Sequence, residues 1–103
     1  MDKLVRDGKV AVLYSPGFGA GWYSWHDIEQ LLYDPVLVGM VESKASEDTI
    51  IEYCHEKYDP DGYFGGAEDL TIEWVPIGTE FRINEYDGSE SIEYKNDIDW
   101  CVA

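Results

Sequence analysis

One short run constrains this chain more than any other feature. Val10, Ala11, Val12, Leu13 and Tyr14 follow one another without a polar break, inside a chain whose formal net charge is −15. A strand apolar on both faces belongs in the middle of a sheet, where both sides are covered. Lys9 to Ser15 is predicted to be that strand, ended by Pro16 and Gly17. The glycine-rich segment 17–21 then reads as a loop.

The next forty residues carry a helical period. Ser24 is predicted to start a helix, with Asp27 three residues on in a variant of the capping box. Trp25, Ile28, Leu31 and Leu32 form its buried stripe. Asp34 and Pro35 open a second helix as N-cap and first helical residue, running to about Lys44. Ser46 caps a third, with Glu47 and Asp48 in the first turn, where the helix dipole favours them. Its inner face is Ile50, Ile51, Cys54 and Tyr58. Glu47, Glu52 and Glu56 face out, and residues 59–62 stop it.

From Leu70 onward the period changes to two. Leu70, Ile72 and Trp74 alternate with Thr71, Glu73 and Val75. Phe81 and Ile83 alternate with Glu80, Arg82 and Asn84. Ile92 and Tyr94 alternate with Ser91, Glu93 and Lys95. Asp87-Gly88 is a strong hairpin signal, and a short last strand is expected over 98–102. The expected fold is one α+β domain over 1–103: an antiparallel meander of four or five strands, with two or three helices packed on one face. Its 103 residues suffice to bury a core without staples. Cys54 and Cys101 are expected to be buried thiols, since one pair does not make a disulfide scaffold. The longest apolar stretch, 35–41, is too short for a membrane span, and the N-terminus lacks a signal peptide's apolar run. The expected compartment is the cytoplasm.

Motifs for chemistry fall short. The loop resembles a phosphate cradle, but a dinucleotide fingerprint needs a glycine where Trp22 stands after Gly17 and Gly19. No base lies between Lys9 and Lys44 to meet a phosphate. Cys54 and His55 are neighbours on a helix, so their side chains diverge by about 100°. No Cys-x-x-Cys or His-x-x-x-His spacing exists. Asp59, Asp61, Glu68 and Asp69 lack the ligand pattern of an EF-hand and read as a solvated loop. The reading is therefore a non-enzyme with no catalytic residue, metal ligand or cofactor.

The charge is unevenly placed. Residues 1–40 hold five acids and three bases, a net of −2, and residues 41–103 hold seventeen and four, a net of −13. That field repels nucleic acid and anionic membranes and attracts basic surfaces. On a strand, residues i and i+2 lie about 6.6–6.8 Å apart, close to the separation of successive backbone phosphates. Glu42, Glu47, Glu52 and Glu56 add a helical row. Carboxylates on rigid elements can imitate nucleic acid to a protein whose channel is lined with Lys and Arg. The expected working surface is Glu73, Glu80, Glu85, Asp87, Glu90 and Glu93. The plain alternatives are a solvated polar face or a halophilic origin.

The segments VAVLYSPGFGAGW and GGAEDLTIEWVPIGTEFRINEYDGSESI, in a short acidic frame, give the chain a texture that resembles small uncharacterised accessory proteins of tailed phages and prophages. The resemblance implies a binding protein such as an anti-CRISPR or other anti-defence inhibitor. Its partner would then be a host protein with a basic, nucleic-acid-binding surface, met in the host cytoplasm. A second reading is a small-ligand or nucleotide sponge, its pocket made by Phe18, Trp22, Tyr23 and Trp25 and possible in a homo-oligomer. A third is a virion structural or assembly protein.

Overall fold

The computed structural model describes residues 3–17, 21–26, 28–86 and 88–94, and of Trp25 the backbone alone. The Val10–Tyr14 run lies in strand β2 (Lys9–Tyr14), flanked by β1 (Val5–Arg6) and β3 (Thr71–Pro76) in the order β1-β2-β3. It is the central strand, as its two apolar faces require. Both pairings are antiparallel, with Val10 opposite Val75 and Leu13 opposite Ile72.

The two faces of β2 bury different partners. Ala11 and Leu13 join Ile72 and Trp74 against α3 (Pro35–Glu42) and α4 (Glu47–Lys57), through Leu37, Val38, Ile50 and Cys54. Val10 and Val12 join Val75 on the other side, where Phe81, Ile83, Ile92 and Tyr94 cover them. Those four belong to the hairpin of β4 (Phe81–Tyr86) and β5 (Ser89–Tyr94). The fold is α+β and its strands are antiparallel, but they form two sheets, the hairpin lying over the first sheet. At the break, the Ile77 N–H donates to Gly8 O at 3.0 Å, which ties the end of β3 back to the β1–β2 turn. The last expected strand, 98–102, lies outside the described residues, as does Cys101.

The helices follow their caps. Asp34 accepts from Val36 N at 2.9 Å with Pro35 in the first turn, and Ser46 accepts from Thr49 N at 3.3 Å. The expected helix from Ser24 is instead two single turns, α1 (Tyr23–His26) and α2 (Gln30–Tyr33). The Trp22 indole donates to Leu31 O at 2.8 Å. A straight helix would carry Leu31 about 10 Å beyond Ser24 at 1.5 Å per residue, so the chain must fold back to make that bond. Ser24 does not act as the N-cap, and Asp27 lies outside the described residues.

Leu31 and Cys54 are buried as expected, while Ile28, Trp74 and Ile83 are partly buried. Two elements were not anticipated. One is β1, joined to β2 through Asp7 (φ 54°) and Gly8 (φ 76°), the left-handed pair of a tight hairpin turn. The other is a 3-10 turn over Gly65–Asp69. It packs against the glycine loop so closely that a Cβ on Gly66 would sit 2.1 Å from Gly21 O.

Candidate functional site

Of the six acids expected on the working surface, Glu90 is overturned outright. It is 1% exposed. One carboxylate oxygen accepts from Ser15 N at 2.9 Å. The other accepts from Trp22 N at 3.1 Å and from Ser24 N and Oγ, both at 2.7 Å. Backbone bonds add to the seam: Glu90 N to Ser15 O at 2.8 Å and Gly21 N to Gly88 O at 2.8 Å. The glycine loop does resemble an anion cradle, and the anion it holds is the protein's own Glu90. The alternation itself carries the signal: Glu90 is in phase with Ile92 and Tyr94, which face the first sheet.

The four others among the described residues do not form one row. Glu73 is partly buried, and Tyr94 Oη donates to it across the two sheets. Glu93 lies on the outer hairpin face, bound to Arg82 at 2.8 Å and to Asn84. Those two donors hold its carboxyl below the usual range, the Asn84 bond contributing most. Glu85 is exposed and accepts from Gly88 N at 2.7 Å, closing the hairpin turn. Glu80 is exposed at the start of β4, and Asp87 lies outside the described residues.

The second set fares differently again. Trp22 is fully buried and belongs to the core, so it cannot line an open pocket. Phe18 and the Trp25 side chain lie outside the described residues. Tyr23 lines a cleft of about 670 Å³, shared with Glu29, Leu32, Tyr33, Thr79, Phe81, Arg82 and Ile83 among others. Nothing in the sequence joins these positions, because they come from two segments that meet where the hairpin crosses α2.

Among the described residues, the clearest row of unpaired acids is on α4. Glu47, Asp48, Glu52 and Glu56 are all exposed. Asp48, Glu52 and Glu56 repeat at i, i+4 and i+8, one stripe with a step of about 6 Å. The ion pairs of the described residues lie elsewhere: Arg6–Glu42 at 2.8 Å, Lys57–Asp34 at 3.3 Å and Arg82–Glu93 at 2.8 Å. Lys57 is the base closest in sequence to the stripe, and it is turned inward to Asp34. Like charges four residues apart repel on a helix, an effect offset at Asp48 by the dipole of the first turn.

Asp34 joins α3 to α4. Its side chain accepts from Tyr53 Oη at 2.7 Å, Tyr58 Oη at 2.5 Å and Lys57 Nζ. Burial is the largest single effect and pushes its carboxyl up. The bonds from Tyr58, Tyr53, Val36 N–H and Lys57 together outweigh it, so the group sits below its ordinary value. Tyr58 is driven far up, first by burial and then by Asp34.

Nucleophile chemistry finds little purchase in the described residues. Burial, then the charge of Asp34, pushes the Cys54 thiol up to about 12, far from a reactive thiolate. His26 and His55 bond to the carbonyls of Tyr63 and Gly62, and both rings pack on Phe64. Asp59 is engaged with Asp61 N at 3.0 Å. Among the described residues no group of three or more His, Cys, Asp or Glu converges on a metal position, and no helix is long and apolar enough to cross a membrane. Comparison with protein-family models, curated proteins and solved structures returned no match, so the geometry carries the functional reading by itself.

Proposed function

We propose that the protein is a non-enzymatic binding protein that presents carboxylates to a basic, nucleic-acid-binding surface of a partner protein. The working row is on α4 rather than on the hairpin. The observation that carries this reading is the exposed stripe Asp48, Glu52 and Glu56 on one helix, unpaired among the described residues while the ion pairs engage other acids. Its step of about 6 Å suits a surface that has spaced its Lys and Arg for phosphates. In the phage-type setting that the sequence texture suggests, the partner is a host defence factor and binding inhibits it.

The substitution Glu52→Lys tests this with two readouts of opposite sign. The new ammonium lies four residues after Asp48 and four before Glu56, so it relieves two repulsions, the pair with Asp48 in the favourable acid-before-base order. The melting temperature should hold or rise. Capture of basic proteins from a host lysate should fall, and duplex DNA should compete with the wild-type protein for them. Raising the salt should weaken that capture steeply. Capture that is unchanged by Glu52→Lys and insensitive to salt sinks the proposal.

A further inference from the structure

The cleft between α2 and the start of β4 is independent of the acidic stripe, and it has the build of a small-molecule site. About 670 Å³ is within the range of ligand pockets, roughly 300–1,000 Å³. Tyr23, Leu32, Tyr33, Phe81 and Ile83 give it an apolar and aromatic wall, beside polar and charged groups in nearly equal measure. We propose that it binds a small organic cation, a primary ammonium on an apolar body.

Tyr33 points to the ligand. It is 7% exposed, yet its hydroxyl makes no hydrogen bond among the described residues and is not sealed from solvent. Burial raises its pKa first, and then Glu29 and Tyr23 do, both of them residues of the cleft. Tyr33 and Glu29 line the same cleft, so both can meet one ligand. The Tyr33 hydroxyl can therefore accept a hydrogen bond from a ligand without giving up one among the described residues.

The charges choose the sign of the ligand. Among the described lining residues Arg82 is the cation, and Glu93 already holds it at 2.8 Å. Glu29 is exposed, and its side chain makes no cap bond to α2, so it can turn to a ligand without cost to the helix. The net charge of −15 further disfavours an anion. The Tyr33 ring already receives one ammonium, Lys3 Nζ at 4.4 Å from its centroid, as cation–π attraction predicts. The cleft thus offers Glu29 to the ammonium hydrogens, Tyr33 Oη as an acceptor, and Tyr23, Phe81, Leu32 and Ile83 to the carbon skeleton. An anionic nucleotide is the wrong ligand for it.

The test is a titration followed by amide chemical shifts, with phenethylammonium, 2-phenylethanol, 3-phenylpropanoate and methylammonium as probes. Phenethylammonium should perturb residues of the cleft and bind roughly tenfold more tightly than the alcohol. The carboxylate and methylammonium should bind more weakly than either. Glu29→Gln should erase most of the preference for ammonium over alcohol and leave the affinity for the alcohol unchanged. Tyr33→Phe should weaken the ammonium a few-fold. The proposal is overturned if the alcohol binds as well as the ammonium, if no probe binds, or if the shifts map to α4. That last result would show attraction to the acidic stripe alone, and would leave the proposed function standing.

Discussion

Replacing Glu90 by Gln keeps the shape of the side chain and changes what its two atoms can do. The carboxylate accepts on both sides: one oxygen from Ser15 N, the other from Trp22 N and from Ser24 N and Oγ. Glutamine has one acceptor and one donor. If its oxygen serves Trp22 and Ser24, its amide nitrogen meets Ser15 N. If the amide flips, the nitrogen meets Trp22 and Ser24 instead. Each buried donor left unsatisfied costs about 1–3 kcal/mol, so Glu90→Gln should destabilise by about 2–4 kcal/mol. For a domain of this length that is a fall in melting temperature of roughly 8–16 °C. Glu90→Ala leaves the buried Ser15 and Trp22 N–H groups without their acceptor, although space opens for water; about 2–5 kcal/mol is expected. Chemical and thermal unfolding measure both. Native-state hydrogen exchange should also show the Gly21 and Glu90 amides losing protection, since they bridge the same seam. A Glu90→Gln variant within about 0.5 kcal/mol of wild type, the usual range for surface changes, would refute the view that this carboxylate latches the hairpin to the glycine loop.

Leu31→Ala should cost about 2–5 kcal/mol, because Leu31 is fully buried; Ile83→Ala should cost distinctly less, because Ile83 is partly exposed at the cleft. Equal losses by denaturant unfolding would overturn the difference. Asp34 sits below its ordinary value of 3.8 in the folded protein, so its stabilisation is complete above that pH and is lost as pH falls through the folded value. Asp34→Asn should therefore lower stability at neutral pH and flatten the acid limb of a stability–pH curve below about 4; a variant whose acid limb matches wild type contradicts the assignment.

Much of the fold is written in local pattern. The two-faced run of β2, the caps at Asp34 and Ser46, the inner face of α4 and the strand alternation all rest on neighbours a few residues apart, and all appear in the structure. The errors arise where a distant segment outbids the local preference. The helix expected from Ser24 breaks because Trp22 reaches Leu31 O and Glu90 takes Ser24. The β1 strand was legible: Asp7-Gly8 is the same dipeptide as Asp87-Gly88, and it too is followed directly by a strand. The cleft was not legible, because its walls at 23–33 and 79–83 are brought together by how the hairpin lies on the sheet.

The placement of Glu90 also sorts the chain's acids by what they do. A carboxylate can sit inside an acidic protein when enough donors converge on it, as three N–H groups and a hydroxyl do on Glu90, and two tyrosines, a lysine and an N–H do on Asp34. Both acids hold separate segments together, and charge alone would have classed them with the surface. Glu73, Glu85 and Glu93 form a middle group, each bonded locally at an edge or between the sheets. Among the described residues the carboxylates of the α4 stripe have no such partner. A helix would be more stable with a lysine among them. An arrangement whose members repel one another and satisfy no donor among the described residues is where an external partner has most to gain, so the hairpin, the more conspicuous acidic segment in the sequence, is the weaker candidate.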